Sequence, residues 1–189
     1  TAKAAKAVAQ EIVQDYDALI DASRAALAAF VRASPRDVVF VPNATTGVTT
    51  ALANLEPTLG PGDEILVNDH EYPGCMANVR RTAARAGATV VSVPLPFPVK
   101  GPAQIEELIL SRVTSRTRIV LLSHITSPTA LVLPVERLVP ELERRGVTVI
   151  LDGAHAIGQI PGLDVARLGA SYYTANCHKW LCAPKGAAL

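Results

Sequence analysis

The sequence has few features of disulfide-bonded, membrane or nucleic-acid-binding proteins. Its three cysteines are an odd number and form no Cys-x-x-Cys pair, which excludes a closed disulfide framework and favours a reducing, cytoplasmic setting. No run approaches the roughly 18 consecutive apolar residues of a membrane span. The 18 Lys and Arg residues against 17 Asp and Glu residues give a net charge of +1, so no nucleic-acid partner is expected.

Aromatic side chains are also scarce, at 4%, whereas apolar residues make up 49% of the 189 residues. The core must therefore be built mostly from Ala, Val, Leu and Ile. A chain of this length can bury about 70% of its unfolded surface and is expected to form one domain. Because the sequence starts at Thr1 without Met and ends on an apolar run, we expect residues 1–189 to be a fragment of a longer protein.

Strand-like and helix-like segments alternate along the chain. Residues 1–33 predict one long amphipathic helix that ends before Ser34-Pro35. Six β-rich runs then predict strands at 38–41, 65–68, 89–93, 118–123, 147–151 and 171–174. Apolar stripes at helical spacing predict helices at 45–55, 75–86, 103–113 and 134–145. This order indicates an α/β three-layer sandwich with a mostly parallel sheet.

Polar side chains follow the predicted strands at one edge of that sheet. The four histidines of the chain each come shortly after a strand, at His70, His124, His155 and His178. A single His or Asp in such a loop is more often a helix cap or a solvated group than a ligand. Because ligands of open α/β sheets bind outside the carboxyl ends of the strands, the agreement of several loops predicts a binding site there.

The segment Asn43-Ala44-Thr45-Thr46-Gly47 opens a predicted helix at this edge. Its unpaired N–H groups, the positive end of the helix dipole and the threonine hydroxyls suit a phosphate. The alternative is a plain helix cap by Asn43 or Thr45.

Asp152 and Lys179 are the two charged residues with the most informative surroundings. Asp152 ends an apolar run, and a buried carboxylate needs a strong partner, such as a protonated ring nitrogen, an arginine or a metal, unless it only caps a turn. Lys179 has mainly apolar neighbours, which favours the neutral amine that forms a Schiff base. Lys185 lies in a Pro-Lys-Gly turn and is expected to be solvated or to have a structural role.

Three motifs carry a resemblance to a known family. They read Asp-Gly-Ala-His at 152–155, Asn-Cys-His-Lys-Trp-Leu-Cys-Ala-Pro-Lys-Gly at 176–186 and Asp-His-Glu-Tyr at 69–72. From about residue 38 to the C-terminus, the chain resembles the class V aminotransferases among the fold-type I pyridoxal-phosphate enzymes. The likeness is closest to isopenicillin N epimerase-like proteins and more distant to cysteine desulfurases. It implies the large cofactor-binding domain of a homodimer, without the C-terminal small domain, acting on an amino acid.

The resemblance also implies roles for individual residues. Lys179 would form the Schiff base with pyridoxal 5′-phosphate and move the α-proton, Asp152 would pair with the pyridinium nitrogen, and His155 would lie near the ring hydroxyl. The other implied contacts are Ala44, Thr45, Asn176 and His178 at the phosphate, His70 or Tyr72 stacked on the ring, and Ser127 where desulfurases have Asn.

Other readings stay open at this point. The same cofactor chemistry serves epimerisation, elimination and transamination, and the pocket decides among them. A metal-dependent hydrolase would use His70, Asp152, His155 and His178, because Asp-x-x-His at a strand end suits metal binding. The chain could also be an inactive fragment.

Overall fold

A parallel sheet forms the centre of the fold. The structure, a computed structural model, describes residues 2–189. Within that range five strands pair in the order β2-β1-β3-β4-β5, and every neighbouring pair is parallel. The strands are β1 (Glu64–Asn68), β2 (Thr89–Val93), β3 (Thr117–Ser123), β4 (Thr148–Asp152) and β5 (Tyr172–Thr174). The three inner strands carry near-continuous apolar runs because both of their faces are covered.

Helices pack on both faces of this sheet. They are α1 (Ala2–Phe30), α2 (Ala44–Leu55), α3 (Pro73–Ala86), α4 (Pro102–Leu110), α5 (Val135–Arg144), α6 (Val165–Leu168) and α7 (Cys177–Trp180). Leu66, on one face of β1, belongs to a core cluster with α4 and α5, whereas Ile65, on the other face, packs with α2 and α3. The predicted three-layer α/β architecture is confirmed. In the described range, no helix has both the length and the apolar character needed to cross a bilayer.

The predicted strand at 38–41 is wrong. The chain there is extended but makes only an isolated antiparallel bridge, in which Val41 N–H donates to the Ala188 carbonyl at 3.0 Å. A β-branched run favours extended backbone, yet a strand also needs a ladder of backbone partners.

The ends of the predicted helices also shift. The first helix ends at Phe30 rather than residue 33, because Arg32 adopts a left-handed φ of 55° that ends helical geometry. The short helices α6 and α7 were not predicted, because four residues are too few to show a helical period.

Candidate active site

The carboxyl ends of the strands border a cavity of about 520 Å³. The first turns of α2 and α7 and the loops after β1, β3 and β4 form its wall. Nine predicted site residues line it: Ala44, Thr45, Tyr72, Ser127, Asp152, His155, Asn176, His178 and Lys179. Topology alone brings them together, since parallel strands end at one edge.

Lys179 projects into this cavity from the single turn of α7. Its Nζ lies 3.0 Å from His155 Nε2. Burial lowers the pKa of Lys179, although the nearby Asp152 carboxylate acts in the opposite direction. A lowered pKa enlarges the share of neutral amine, which is the nucleophilic form. Lys185, by contrast, is exposed, as its turn predicts.

Asp152 ends β4 and is 4% exposed. One carboxylate oxygen, Oδ1, accepts the Ala154 N–H at 2.9 Å, and the other, Oδ2, accepts the Cys75 thiol at 3.3 Å. Asp152 therefore does cap the following turn, as its plainer interpretation predicts, and also lines the cavity. Among residues 2–189, no Lys, Arg or His lies within salt-bridge distance of it. A buried carboxylate that faces a cavity without a cation suits a positively charged ring nitrogen.

The start of α2 is held by two asparagine side chains. Asn43 Oδ1 accepts the Thr46 N–H at 2.9 Å, and Asn176 Oδ1 accepts the Ala44 N–H at 2.8 Å. The helix cap by Asn43 is thus present, the segment also lines the cavity, and its binding of a phosphate stays a prediction. Within the described range, the Thr45 N–H is the amide of this first turn that these bonds leave for an anion.

His178 also lines the cavity. Its Nδ1 lies 3.2 Å from the Ala187 carbonyl, and a carbonyl only accepts, so Nδ1 carries a hydrogen. Nε2 can then donate to an anion only when the imidazole is protonated. An anion bound there would supply the negative charge that balances the protonated imidazole.

Tyr72, and not His70, lines the cavity. The Tyr72 ring lies over Gly74, where an added Cβ would come 2.7 Å from the tyrosine Cε1, so glycine permits this ring position. His70 turns away: its Nδ1 lies 2.9 Å from Thr129 Oγ1, and its ring meets Phe97 edge-on. His124 is also directed elsewhere, with Nδ1 3.2 Å from the Tyr173 hydroxyl.

Glu71 is a buried acid that the sequence reasoning missed. It is 5% exposed and accepts the Ser123 N–H at 2.8 Å, the Ser123 hydroxyl at 2.5 Å and the Asn68 amide. Burial raises the pKa of Glu71 to about 7; the Asp152 charge acts in the same direction, and these donors act against it. Ser123, its partner, lines the cavity beside Asp152. The available signal was an acidic residue just after an apolar strand.

The arrangement does not support a metal centre. Within residues 2–189, no group of three or more His, Cys, Asp or Glu side chains is placed to hold a metal ion. His70, one of the four residues of the hydrolase alternative, lies outside the cavity wall.

Comparison with known proteins adds a family. The model of the family described as aminotransferase class-V matches residues 2–189. The isopenicillin N epimerase of Amycolatopsis lactamdurans is 38% identical over 89% of this chain and 42% of its own length. A putative L-cysteine desulfhydrase of Oryza sativa subsp. japonica is 40% identical over 88% of this chain and 37% of its own length. The chain thus spans about two fifths of these curated relatives.

Solved structures agree with this result. The cystine C–S lyase C-DES, in complex with its product cysteine persulfide, superposes with a TM-score of 0.84 at 35% identity, over 96% of this chain and 47% of that one. A C-DES mutant with glycine covalently linked to its PLP cofactor also reaches a TM-score of 0.84, at 34% identity over 96% of this chain and 46% of that one.

Proposed function

Because the chain belongs to the class-V aminotransferase family, we propose that it is the cofactor-binding part of a pyridoxal-phosphate enzyme that acts on an amino acid. One observation carries the proposal: Lys179 and the cation-free buried carboxylate of Asp152 line the same cavity. A lysine amine and a carboxylate in one cavity are the two groups that this cofactor needs at its carbonyl and at its ring nitrogen.

The residues present fit that group. Asp152 would hold the protonated ring nitrogen, Tyr72 would cover a ring face, and His155 would donate to the ring oxygen. The Thr45 N–H and His178 would bind the phosphate, while Ala44 and Asn176 shape the turn that presents it. Ser127 completes the wall. When bound, pyridoxal phosphate supplies an electron sink for charge on the substrate α-carbon.

Lys179 has two tasks in this proposal. Its amine would bind the cofactor carbonyl, and the same nitrogen, once displaced from it by the substrate amine, would take up the α-proton; epimerisation then requires that a proton return from the opposite face. Both tasks need a lone pair, which burial favours by lowering the pKa of Lys179.

Covalent labelling tests the proposal. Borohydride reduction of the protein with pyridoxal phosphate, followed by peptide mapping, should place the pyridoxyl group on Lys179. Lys185 is the matched control, because it is exposed and only six residues away in the chain. Label on Lys185, or no label, contradicts the proposal.

For the reaction itself, we propose an isopenicillin N epimerase-like exchange of the α-proton, in line with 38% identity to such an epimerase. In heavy water, an amino-acid substrate would gain deuterium at the α-carbon and appear as both stereoisomers by chiral chromatography. Deuterium without inversion contradicts epimerisation.

Carbon–sulfur bond cleavage is the second candidate. The likeness to C-DES and to a putative L-cysteine desulfhydrase favours it. Cysteine or cystine would then release a sulfur-containing product that a thiol-specific or sulfide-specific reagent measures. Release of this sulfur-containing product without formation of the second stereoisomer would favour carbon–sulfur bond cleavage over epimerisation.

We also propose a homodimer in a cytoplasmic setting. Exposed apolar side chains on α1, among them Ile12, Tyr16 and Leu19, offer a surface for a second copy, and Cys75, Cys177 and Cys182 are free thiols. Light scattering coupled to size exclusion measures the mass, and a monomer at micromolar concentration contradicts the dimer.

A further inference from the structure

Trp180 makes a hydrogen bond that the proposed function does not use. Its indole Nε1–H donates to His155 Nδ1 at 3.3 Å. The other imidazole nitrogen, Nε2, lies 3.0 Å from Lys179 Nζ. The indole, the imidazole and the amine thus form a chain of three groups that ends at the nucleophile.

The Trp180 indole determines which nitrogen of His155 carries the hydrogen in this series of hydrogen bonds. An indole nitrogen can only donate, and a neutral imidazole has one N–H and one acceptor nitrogen. Because the indole donates to Nδ1, that nitrogen must be the acceptor and Nε2 must carry the hydrogen. Nε2–H then donates to Lys179 Nζ, which must accept through a lone pair. An ammonium group has no lone pair, so it cannot complete this chain.

We propose that Trp180 is a positioning residue that holds His155 in the Nε2–H tautomer and thereby selects the neutral amine of Lys179. The importance of that amine as a nucleophile rests on the proposed function, whereas the tautomer and the charge do not. In the cofactor-bound protein, the same Nε2–H would face the cofactor's ring oxygen as a donor.

The local backbone is built for this contact. Lys179 and Trp180 are neighbours in α7 and so point in different directions, yet both reach the same imidazole. They do so because the loop after β4 approaches α7 closely at Gly158. There φ is +85°, and an added Cβ would lie 2.8 Å from the Trp180 carbonyl oxygen. A side chain at residue 158 would push the loop and α7 apart.

Burial and the surrounding charges act in opposite directions on this pair of groups. Burial lowers the pKa of Lys179 and that of His155, and the Lys179 charge lowers the pKa of His155 as well. The Asp152 charge opposes these effects on both groups, and Cys75 acts with Asp152 on Lys179. The Trp180 bond adds to burial by removing the acceptor nitrogen that an ammonium group would need.

The test uses Trp180→Phe in the protein without cofactor. Phenylalanine keeps an aromatic side chain and removes the donor, and Trp180 is 52% exposed, so folding should persist; circular dichroism checks this. Long-range proton–nitrogen NMR should show His155 as the Nε2–H tautomer in the parent protein and as a mixture in the variant. An unchanged tautomer overturns the proposal.

The second readout is the charge of Lys179. Trace acetylation at a series of pH values, read by mass spectrometry with Lys185 as internal reference, measures the neutral fraction. We expect the neutral fraction at neutral pH to fall about fivefold in Trp180→Phe, the effect of one hydrogen bond. Equal reactivity in both proteins overturns the proposal.

A double-variant comparison separates positioning from packing. In a His155→Gln background, Trp180→Phe should leave Lys179 reactivity unchanged, because the chain is already broken. The same fivefold fall in that background would mean that the indole acts by packing. Failure of the borohydride label with the expected NMR result would reject the cofactor and leave this inference standing.

Discussion

The two edges of the sheet treat a buried glutamate in opposite ways. Glu64 begins β1 at the amino edge and Glu71 follows the same strand at the carboxyl edge, with 4% and 5% exposure. Glu64 accepts from Thr114 and Thr117 and bonds Arg116 through two nitrogens, at 2.9 and 2.7 Å. Hydrogen bonds from Thr114 and Arg116 lower the pKa of Glu64. Burial raises that of Glu71 to about 7.

This difference distinguishes acids that stabilise the fold from acids that lie at the candidate site. At the amino edge each acid is matched: Asp63 pairs with Arg118 at 2.9 Å as Glu64 does with Arg116. At the carboxyl edge of the described chain, Glu71 and Asp152 are buried close together with no salt bridge. Two acids without a cation are unfavourable for stability, and such groups concentrate where a ligand completes the charge balance.

Removal of one basic side chain from each edge should break the comparison most visibly. Lys179→Ala should lower any activity on the order of a thousandfold or more and abolish the borohydride label, with little loss of stability, because among the described residues its amine bonds only His155. Arg116→Ala should keep the label and lose stability, because it leaves Glu64 without its cation. Labelled peptide maps and thermal unfolding measure both. A stable label in Lys179→Ala would contradict the assignment.

Glu71→Gln tests the charge at the carboxyl edge. Because the folded pKa of Glu71 is raised from 4.5 to about 7, the folded state binds the proton more tightly than the unfolded state. Stability contributed by this group is therefore largest at low pH and falls between 4.5 and about 7, by on the order of 3 kcal/mol. Glutamine mimics the protonated acid, so the free energy of unfolding of Glu71→Gln should not show this decrease with pH. Denaturant unfolding across that pH window measures it, and parallel curves for the two proteins would contradict the prediction.

Glu64→Gln is the matched change at the amino edge, and its sign is opposite. A lowered folded pKa means that the charged form stabilises the fold above the unfolded pKa and that this contribution is lost as pH falls through the folded value. We expect a loss of about 2 kcal/mol at neutral pH, since hydrogen bonds to a charged group are replaced by weaker ones. The difference from the parent protein should shrink on acidification. A difference that is constant with pH would assign the loss to packing.

The sequence reasoning predicted much of the framework on which this contrast depends. Apolar runs located the five strands that pair, and parallel order followed from their alternation with helices, so residues after strand ends, such as Asp152 and His155, were placed at one edge. The run at 38–41 failed because extended propensity does not show whether a neighbouring strand exists.

Side-chain direction was the part that sequence could not supply. His70, Glu71 and Tyr72 are consecutive, yet one turns to Thr129, one is buried beneath Ser123 and one lines the cavity. A change of one residue reverses the direction of a side chain, and the loop geometry that sets it comes from tertiary contacts. Likewise, the bond from Asn176 to the start of α2 joins residues 132 positions apart, and no local pattern indicates it.

Substitution of Cys75, which bonds Asp152 at the carboxyl edge, is expected to change stability the least. Its thiol donates to Asp152 Oδ2 at 3.3 Å, and burial raises the pKa of Cys75 so that it stays a donor. Cys75→Ser retains an O–H donor, whereas Cys75→Ala leaves that carboxylate oxygen with one donor fewer. The alanine variant should lose about 1 kcal/mol of stability relative to serine. The protonated ring nitrogen of bound pyridoxal phosphate would compensate the Asp152 carboxylate, as Arg116 compensates Glu64. Saturating pyridoxal phosphate should therefore reduce the difference in stability between the alanine and serine variants. Thermal unfolding of both variants with and without pyridoxal phosphate measures this difference. If the cofactor leaves the difference unchanged, the Asp152 carboxylate is not the group that balances the charge of the cofactor.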